Sequence, residues 1–251
     1  MAGAKTPVGN DGATDTKPPA RRGPGRPSSA QSNTITRTSI LRKAYKLART
    51  VPLQDVSIVM VAREMGVTPA LIHYYIGNRD WLTSGVMNLF YRDLLRKWPE
   101  PTDDWRATVQ AAAEALYNHF VEYAGIASYA VMNDRFAVFQ LTAFGDRDYG
   151  IEAMEKYIES LRVAGRPPER TAIYAHLLRQ FIINAAHSAA RHMYPSDYKD
   201  FLLDKMTKLD AVKYPNITGS PPLMLNAQAA FQEGLRLFVL GLEREPILKH
   251  S

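Results

Sequence analysis

The twenty residues from 57 to 76 place the tightest constraint on the fold of this 251-residue chain. Ser57 is a residue type that caps a helix by accepting a hydrogen bond from a free backbone N–H. An apolar face at helical spacing then follows at Ile58, Val61, Ala62 and Met65. Gly66 stands where a helix ends in a left-handed residue, and Thr68 and Pro69 are suited to cap and begin the next helix. Two short helices joined this closely must cross steeply, with a small residue (Ala62) at the crossing. The spacing predicts a helix-turn-helix; the alternative is an ordinary pair of packed helices.

The rest of the chain favours an all-α fold, because apolar residues recur at helical spacing while proline and glycine cluster between the periodic stretches. We predict helices at about 35–50, 57–65, 69–75, 79–97, 103–123, 126–133, 147–164, 168–192, 196–211 and 223–245. The stretch from Phe136 to Phe144 fits either a short helix or a buried loop.

The pattern divides the chain into three segments. Residues 1–34 hold five prolines and five glycines and almost no large apolar side chain. Such a segment cannot offset the entropy of ordering, so we predict a disordered basic arm. The helix-turn-helix and a connecting helix occupy residues 35–97, and the run Pro99-Glu100-Pro101 then breaks the helical pattern. A larger helical domain is expected over residues 98–251.

Charge is distributed unevenly along the chain. Residues 1–97 carry 15 basic and 6 acidic side chains, whereas residues 98–251 carry 16 basic and 19 acidic ones. A positive first part joined to a mildly acidic second part indicates a polyanionic partner for the first part. The alternative is that the local excess serves only solubility.

Several functional classes lack their sequence signatures here. With no cysteine, the chain has no disulfide, zinc-thiolate site or thiol nucleophile. The apolar runs are far shorter than the roughly 18 residues of a membrane span, and the first residues lack the apolar core of a secretory signal. Gly-rich phosphate loops and the His-Glu-x-x-His and Gly-x-Ser-x-Gly motifs are also missing. We therefore expect a cytoplasmic protein without membrane contact, enzyme activity, cofactor or metal.

Residues 37–97 resemble the DNA-binding domain of the tetracycline-repressor (TetR) family of transcriptional regulators. The resemblance rests, in chain order, on Ile40-Leu41-Arg42-Lys43-Ala44, Ser57 to Met65, Gly66-Val67-Thr68-Pro69, Leu71-Ile72-His73-Tyr74-Tyr75 and Gly77-Asn78-Arg79-Asp80-Trp81-Leu82. It implies a dimeric, ligand-responsive regulator that binds a near-palindromic operator in double-stranded DNA. A repressor is the expected form; an activator or a ligand-independent DNA-binding protein of the same fold is the alternative. Many members carry arginine at Val59, threonine or serine at Leu71 and tyrosine at His73, so base reading is expected to shift to other groups.

The predicted DNA contacts centre on the third helix. Thr68 and His73 are suited to hydrogen-bond base edges, and Pro69 and Ala70 to pack on thymine methyls. Phosphate contacts are expected from Tyr74, from Arg79 and from the helix start at Ser57, whereas Tyr75 is expected in the core. The Gly/Pro-rich arm resembles a minor-groove hook, with a solvated linker as the alternative. The complete set is Arg21, Arg22, Arg26, Arg37, Ser57, Thr68, Pro69, Ala70, His73, Tyr74 and Arg79.

The larger domain is expected to hold a largely apolar small-molecule effector, because such sites are apolar cavities with few polar anchors. Aromatic residues cluster on and after the predicted helix at 103–123, and polar residues recur at helical spacing on the helix at 168–192. The candidates are Tyr117, His119, Phe120, Tyr123, Tyr129, Met132, Phe136, Phe139, His176, Gln180, Asn184 and His187. For each of them, ordinary core or a solvated face is the alternative.

An apolar stripe on the last helix fits either the core of this domain or a dimer seam. The resemblance of Phe231 to Glu243 to the final dimerising helix of the family favours the seam, paired with the helix at 168–192 in a four-helix bundle. The predicted dimer contacts are Phe181, Phe231, Leu235, Phe238 and Leu242. A homodimer would set two recognition helices one duplex turn apart. Ligand in the cavity is expected to move the helix at 79–97 and change that separation. A DNA-binding architectural protein without a ligand is a rival interpretation.

Overall fold

The computed structural model describes Gly3 and residues 35–133, 138–143, 145–190, 196–219 and 226–244, of which 196–199 and 202 are described by backbone alone. The described residues from Ile35 onward group into one compact unit. In the described residues there are eleven α-helices and no strand, so the predicted all-α fold is confirmed. The helices are α1 (Arg37–Leu47), α2 (Ile58–Met65), α3 (Pro69–Ile76), α4 (Arg79–Leu95), α5 (Trp105–Glu122), α6 (Ala124–Met132), α7 (Tyr149–Arg162), α8 (Pro168–Ala190), α9 (Ser196–Thr207), α10 (Pro215–Gly219) and α11 (Ala227–Arg244).

Three local details differ from the sequence prediction or resolve it. A 3-10 turn at Leu53–Asp55 and the short α10 were not predicted. Residues 138–143 are the described part of the ambiguous stretch from Phe136 to Phe144. They form an irregular loop rather than a helix. The helix ends agree with the prediction to within a few residues. The small differences are expected, because end positions are the least certain part of a sequence-based assignment.

The ends of the helices in the helix-turn-helix are fixed by the residues that the sequence indicated. The Ser57 hydroxyl accepts a hydrogen bond from the Met60 N–H at 3.1 Å, and the Thr68 hydroxyl accepts one from the Leu71 N–H at 3.4 Å. Gly66 ends α2 in the left-handed conformation, with φ of 67°, which a side chain would strain. These bonds satisfy backbone donors that no helical partner reaches, so the turn between α2 and α3 has a defined geometry.

One apolar core runs from α1 to α11. In the first four helices it includes Ile40, Ala62 and Ile72, and Ala62 is buried as expected for the crossing of α2 and α3. Phe90 of α4 is fully buried and packs against Phe120 of α5, with ring centroids 4.9 Å apart. Because α4 packs against both α1 and α7, it connects the helix-turn-helix with the larger helical part. The division of this unit at residue 98 stays a prediction.

Candidate functional site

The exposed face of α3 carries the predicted base-contacting residues. Thr68, Pro69, Ala70, His73 and Tyr74 are exposed, whereas Ile72 and Ile76 are buried beneath them. The Tyr74 ring is 82% exposed and meets the Tyr75 ring edge to face at 5.2 Å. Tyr75 itself is 37% exposed, so its expected place in the core is wrong: α3 buries only the side that holds the two isoleucines. A convex, capped helix with this outer face has the form that enters a major groove.

His73 is held by the end of its own helix. Its Nδ1 atom lies 2.8 Å from the carbonyl oxygen of Gly77, whose φ of 90° turns the chain back toward the ring. A carbonyl oxygen only accepts hydrogen bonds, so Nδ1 carries the proton in the neutral ring and Nε2 is left as an acceptor. His73 is therefore arranged to accept a hydrogen bond through Nε2 from an amino group.

The predicted phosphate contacts are placed around this face in different ways. The Ser57 hydroxyl is engaged in its cap, so α2 offers an anion the free N–H groups of its first turn. Arg79 is exposed at the first position of α4. Arg37 forms an ion pair with Asp146, with 3.3 Å between Nη1 and Oδ2, and a DNA contact by Arg37 stays a prediction. Arg21, Arg22 and Arg26 lie outside the described residues.

Helix α4 is tied to the start of α7 by its own side chains. The Asn88 side chain accepts a hydrogen bond from the Tyr149 N–H at 2.8 Å and donates one to the Arg147 carbonyl at 3.0 Å. The Ser84 hydroxyl accepts a hydrogen bond from the Leu141 N–H at 3.0 Å. These bonds make the position of α4 depend on residues 138–148 and on the start of α7.

A second set of contacts joins the end of α1 to α5 and α6. The Tyr45 and Tyr123 rings stack with centroids 4.5 Å apart and planes 8° from parallel. Gly125, in the first turn of α6, approaches the backbone so closely that a Cβ there would lie 1.9 Å from the Val51 carbonyl oxygen. Movement of α6 cannot be absorbed at this point, because backbone rather than a flexible side chain faces the glycine.

Glu122 adds an electrostatic link at the same junction. It bonds to Arg49, after α1, and to the Lys97 ammonium at 3.0 Å, after α4. Partial burial raises the pKa of Glu122, but the hydrogen bonds from Lys97 and Arg49 outweigh that effect and lower the pKa below its usual value. Nearby, the buried His119 has Nε2 2.9 Å from the Phe90 carbonyl, and burial lowers its pKa although that hydrogen bond opposes the shift.

A small, mainly apolar cavity of about 20 Å³, with room for about one water molecule, lies between α4, α5, α7 and α8. Its lining residues are Tyr91, Leu94, Trp98, Leu116, Phe120, Val138, Gly150, Ala153, Met154, Tyr157 and Arg179. The volume is far below the range for small-molecule sites, so a ligand could enter only if the lining helices moved apart. A larger cleft of about 670 Å³, a volume within the range for small-molecule sites, opens on the surface near Arg49, Met132 and His187.

The polar side-chain groups of the cavity are two phenols, the guanidinium of Arg179 and the indole N–H of Trp98. The Tyr157 hydroxyl donates a hydrogen bond to the Ala175 carbonyl at 3.0 Å. Burial raises the pKa of Tyr91 and of Tyr157, while the Arg179 charge acts in the opposite direction on both. Both phenols are therefore neutral at ordinary pH, and Arg179 supplies a positive charge close to each.

The outer faces of α8 and α11 form a partly apolar surface. Leu177 on α8 is 53% exposed and Leu237 on α11 is 55% exposed. The two helices pack closely, because Gly234 leaves room for the Phe181 ring: a Cβ at residue 234 would lie 2.3 Å from its Cζ atom. The exposed side chains of both helices thus lie beside one another on one surface.

In the described residues no helix combines the length and the apolar character needed to cross a membrane. The same residues contain no group of three or more histidine and carboxylate side chains arranged to hold a metal ion.

No protein-family model matches the chain, and no curated protein matches it in sequence. Solved structures match over most of its length. Apo ActR from Streptomyces coelicolor has a TM-score of 0.66 at 23% identity, over 83% of this chain and 96% of ActR. The TetR family protein ActR in complex with actinorhodin has a TM-score of 0.66 at 22% identity, over 84% and 96%. SCO7222, a TetR regulator from the same organism, has a TM-score of 0.61 at 18% identity, over 83% and 97%. The chain has the TetR fold.

Within the TetR fold the predicted effector residues are scattered, and only Phe120 lines the cavity. Tyr117 stacks on Phe231 and Tyr123 on Tyr45, so both are packed against other helices. The remaining candidates lie elsewhere: Tyr129 and His119 are buried, Phe139 is exposed, Met132 and His187 line the surface cleft, and His176, Gln180 and Asn184 are exposed on the outer face of α8. Phe136 lies outside the described residues. A ligand contact by these residues stays a prediction.

The predicted dimer residues divide into two groups. Phe231, Leu235 and Leu242 are buried within this chain, which fits the alternative interpretation of the stripe, and a dimer contact by them stays a prediction. Phe181 and Phe238 are only partly buried. The area that α11 leaves free for a second copy therefore lies beside the stripe, at Leu237 and its neighbours.

Most of the cavity residues were missed by the sequence analysis, although one signal could have found Arg179. On α8 the buried positions Ala175, Leu178 and Ile182 define the inner face, and Arg179 falls within that helical pattern. A single arginine on an inward face indicates a polar anchor. Tyr91 and Leu94 of α4, by contrast, give no such sign, because apolar residues in a core helix are ordinary.

Proposed function

We propose that this protein is a ligand-responsive transcriptional regulator, in its simplest form a repressor, that binds a near-palindromic DNA operator as a homodimer. The observation that carries the proposal is the double role of α4. Its N-terminal end follows directly on the recognition helix α3, and its Tyr91 and Leu94 line the cavity. A molecule that widened this small cavity on entering it would contact the same helix that positions α3.

Reading of DNA is supported by the exposed face of α3 and by the charge distribution. The first 97 residues carry a net charge of +9, which favours a polyanion and gives salt-dependent binding. His73 presents an acceptor, so it is suited to the amino group of adenine or cytosine in the major groove. Tyr74, with its ring almost fully exposed, is suited to a phosphate.

Dimerisation is supported by the outer faces of α8 and α11. Ile173 and Leu177 on α8 and Leu237 on α11 are large apolar side chains exposed on adjoining helices, a patch that a second copy would bury. The exposed His176, Gln180 and Asn184 share this face of α8. They fit the polar part of a four-helix seam.

Release by a ligand is supported by the contacts of α4 and by the neighbouring structures. ActR, which has the same fold, is described in complex with actinorhodin. In this chain a ligand that spreads Tyr91 and Leu94 from α7 would also strain the Asn88 bonds to Arg147 and Tyr149. The shift lowers DNA affinity only to the extent that the ligand binds the two states unequally.

Selection of bound sequences from a random duplex pool by the full-length protein tests the proposal. We expect enrichment of an inverted repeat whose half-sites are about one duplex turn apart, and a dimer mass in light scattering. Salt-dependent binding without sequence preference would instead indicate an architectural protein, and a monomer would contradict the proposal.

The N-terminal arm has its own test. Deleting residues 1–30, which include Arg21, Arg22 and Arg26, is expected to weaken operator binding and to reduce the dependence of log K on log salt. An unchanged salt slope would remove the arm from the mechanism.

A further inference from the structure

The surface cleft near Arg49, Met132 and His187 has room for a whole small molecule. Its volume of about 670 Å³ lies within the usual range for ligand sites, whereas the cavity between α4, α5, α7 and α8 holds about one water molecule. Met132 and His187 are also two of the residues that the sequence analysis selected as effector contacts. The cleft is therefore a place where a ligand fits without prior movement of the helices.

The cleft has two walls that come from different parts of the chain. Thr50 belongs to the turn after α1, whereas Ser128 and Met132 lie on α6. Between these walls, Gly125 touches the Val51 carbonyl and leaves no space for one more carbon atom. A molecule that contacts both walls therefore acts on the turn that leads from α1 into the helix-turn-helix.

The two opposite charges in the lining are already paired. Arg49 and Glu122 bind each other, and the Arg49 guanidinium also lies over the Tyr123 ring, 5.3 Å from its centroid. Lys97, the second partner of Glu122, is not one of the described lining residues, and its side chain is 60% exposed, so water screens it. An ion that entered the cleft would lose hydration without gaining an unpaired partner of opposite charge. The lining therefore favours an uncharged ligand.

The other lining residues define the ligand further. Val121, Ala124 and Met132 offer apolar surface, and Met132 is 59% exposed, with a flexible thioether that packs well against aromatic rings. A rigid ring system loses less rotational freedom on binding than a flexible chain of equal area. The hydroxyl groups of Thr50 and Ser128 can each donate and accept a hydrogen bond, which suits a hydroxyl or carbonyl group on the ligand.

We propose that the surface cleft binds an uncharged, fused-ring aromatic molecule with a hydroxyl or carbonyl group, and that this molecule acts on the helix-turn-helix through the turn after α1. The inference rests on the proposed function, since it names a ligand class for the regulator and a site separate from the small cavity. Binding itself is measured without DNA, so the two proposals fail separately.

Three pyrene derivatives of nearly equal shape test the ligand class. At pH 7.5, 1-pyrenemethanol is neutral, pyrene-1-carboxylate is negative and 1-pyrenemethylammonium is positive. We expect the full-length protein to bind the alcohol at least fivefold more tightly than either ion when the pyrene fluorescence is titrated.

A steric test locates the bound probe. Ser128→Trp and Thr50→Trp fill the cleft from its two walls, and each should weaken binding of the alcohol tenfold or more. Ser188→Trp introduces the same side chain at an exposed serine of α8 that is not one of the described lining residues, and it should change the affinity less than twofold. Because Thr50 is exposed, its variant still decides if Ser128→Trp fails to fold.

The action on DNA is measured with an operator that the protein has selected. We expect a saturating concentration of the alcohol to weaken operator binding by the wild type at least threefold and to leave operator binding by Ser128→Trp unchanged.

Several results would overturn the inference. An ion that binds as tightly as the alcohol rejects the ligand class, and full affinity in both cleft variants rejects the site. No binding of the alcohol at its solubility limit rejects both. Binding that leaves operator affinity unchanged rejects the action on the helix-turn-helix. A protein that binds the alcohol as expected but selects no operator rejects only the regulator, and an operator without binding of the alcohol rejects only this inference.

Discussion

The exposed face of α3, here called the recognition face because we propose that it reads DNA, differs from the cavity in one respect. The contacts that form the two regions span different distances along the sequence. Around α3, each defining contact joins residues three or four positions apart, as between Thr68 and Leu71 or between His73 and Gly77. The cavity instead depends on side chains from α4, α5, α7 and α8 that meet only in the folded chain. A surface built from local bonds keeps its shape when the body moves, whereas a cavity of this kind changes with any of its four helices. We therefore expect the recognition face to move as a rigid piece and the cavity to change its shape.

The largest expected effect is at Gly125, where the start of α6 meets the turn after α1. Gly125→Ala places a Cβ 1.9 Å from the Val51 carbonyl oxygen, and overpacking against backbone is expected to cost about 3 kcal/mol of unfolding free energy. Urea denaturation measures this cost. Gly241→Ala on α11 is the control, because nothing lies within 4 Å of the added atom; there we expect a gain of about 0.5–1 kcal/mol. Equal effects of the two changes would show that the junction tolerates adjustment.

The recognition face is tested by separating base reading from phosphate binding. His73→Ala is expected to cost about 1–2 kcal/mol of discrimination at one base pair of each half-site, because an acceptor for an amino group is lost. Tyr74→Phe is expected to weaken binding by about 1 kcal/mol on every sequence. Competition binding with single-base operator variants distinguishes them. If both changes act alike on all variants, His73 does not read a base.

The buried junction should also respond to pH. Because burial lowers the pKa of His119 in the folded chain, the unfolded chain takes up the proton first as pH falls. Stability is therefore expected to decline below pH 6.5, the unperturbed value, and to level off below the folded pKa, with a slope of at most about 1.4 kcal/mol per pH unit from this residue. His119→Gln should flatten the profile of unfolding free energy between pH 5 and 7.5. His176→Gln, at an exposed histidine, should not change it.

The smallest effect is expected at Glu122. Glu122→Gln removes the ionic links to Arg49 and Lys97, but these side chains are partly exposed, so solvent screening limits the loss to less than about 1 kcal/mol. The difference from wild type should vanish in 1 M salt, where such pairs are screened. A difference that persists there would assign Glu122 a packing role.

The same contrast in range explains what could be predicted from the sequence. Ser57, Gly66 and Thr68 have their partners within a few residues, and their roles at the helix ends were predicted correctly. The positions of Tyr157 and Arg179 against Tyr91 depend on how α4, α7 and α8 pack, which periodicity does not specify. Periodicity identified the apolar stripe of Phe231, Leu235 and Leu242. It did not identify the surface that packs against this stripe, because an apolar face is equally suited to the chain's own core and to a second copy.

The close approach at Gly125 has a consequence for building hybrid proteins of this fold. Exchanging the helix-turn-helix part of this protein for that of a relative would bring a foreign α1 and turn against the first residues of α6. With only a hydrogen atom facing the Val51 carbonyl, α6 has no side chain that could repack around a new backbone path. A graft should therefore carry residues 48–55 and the start of α6 together, as one cassette.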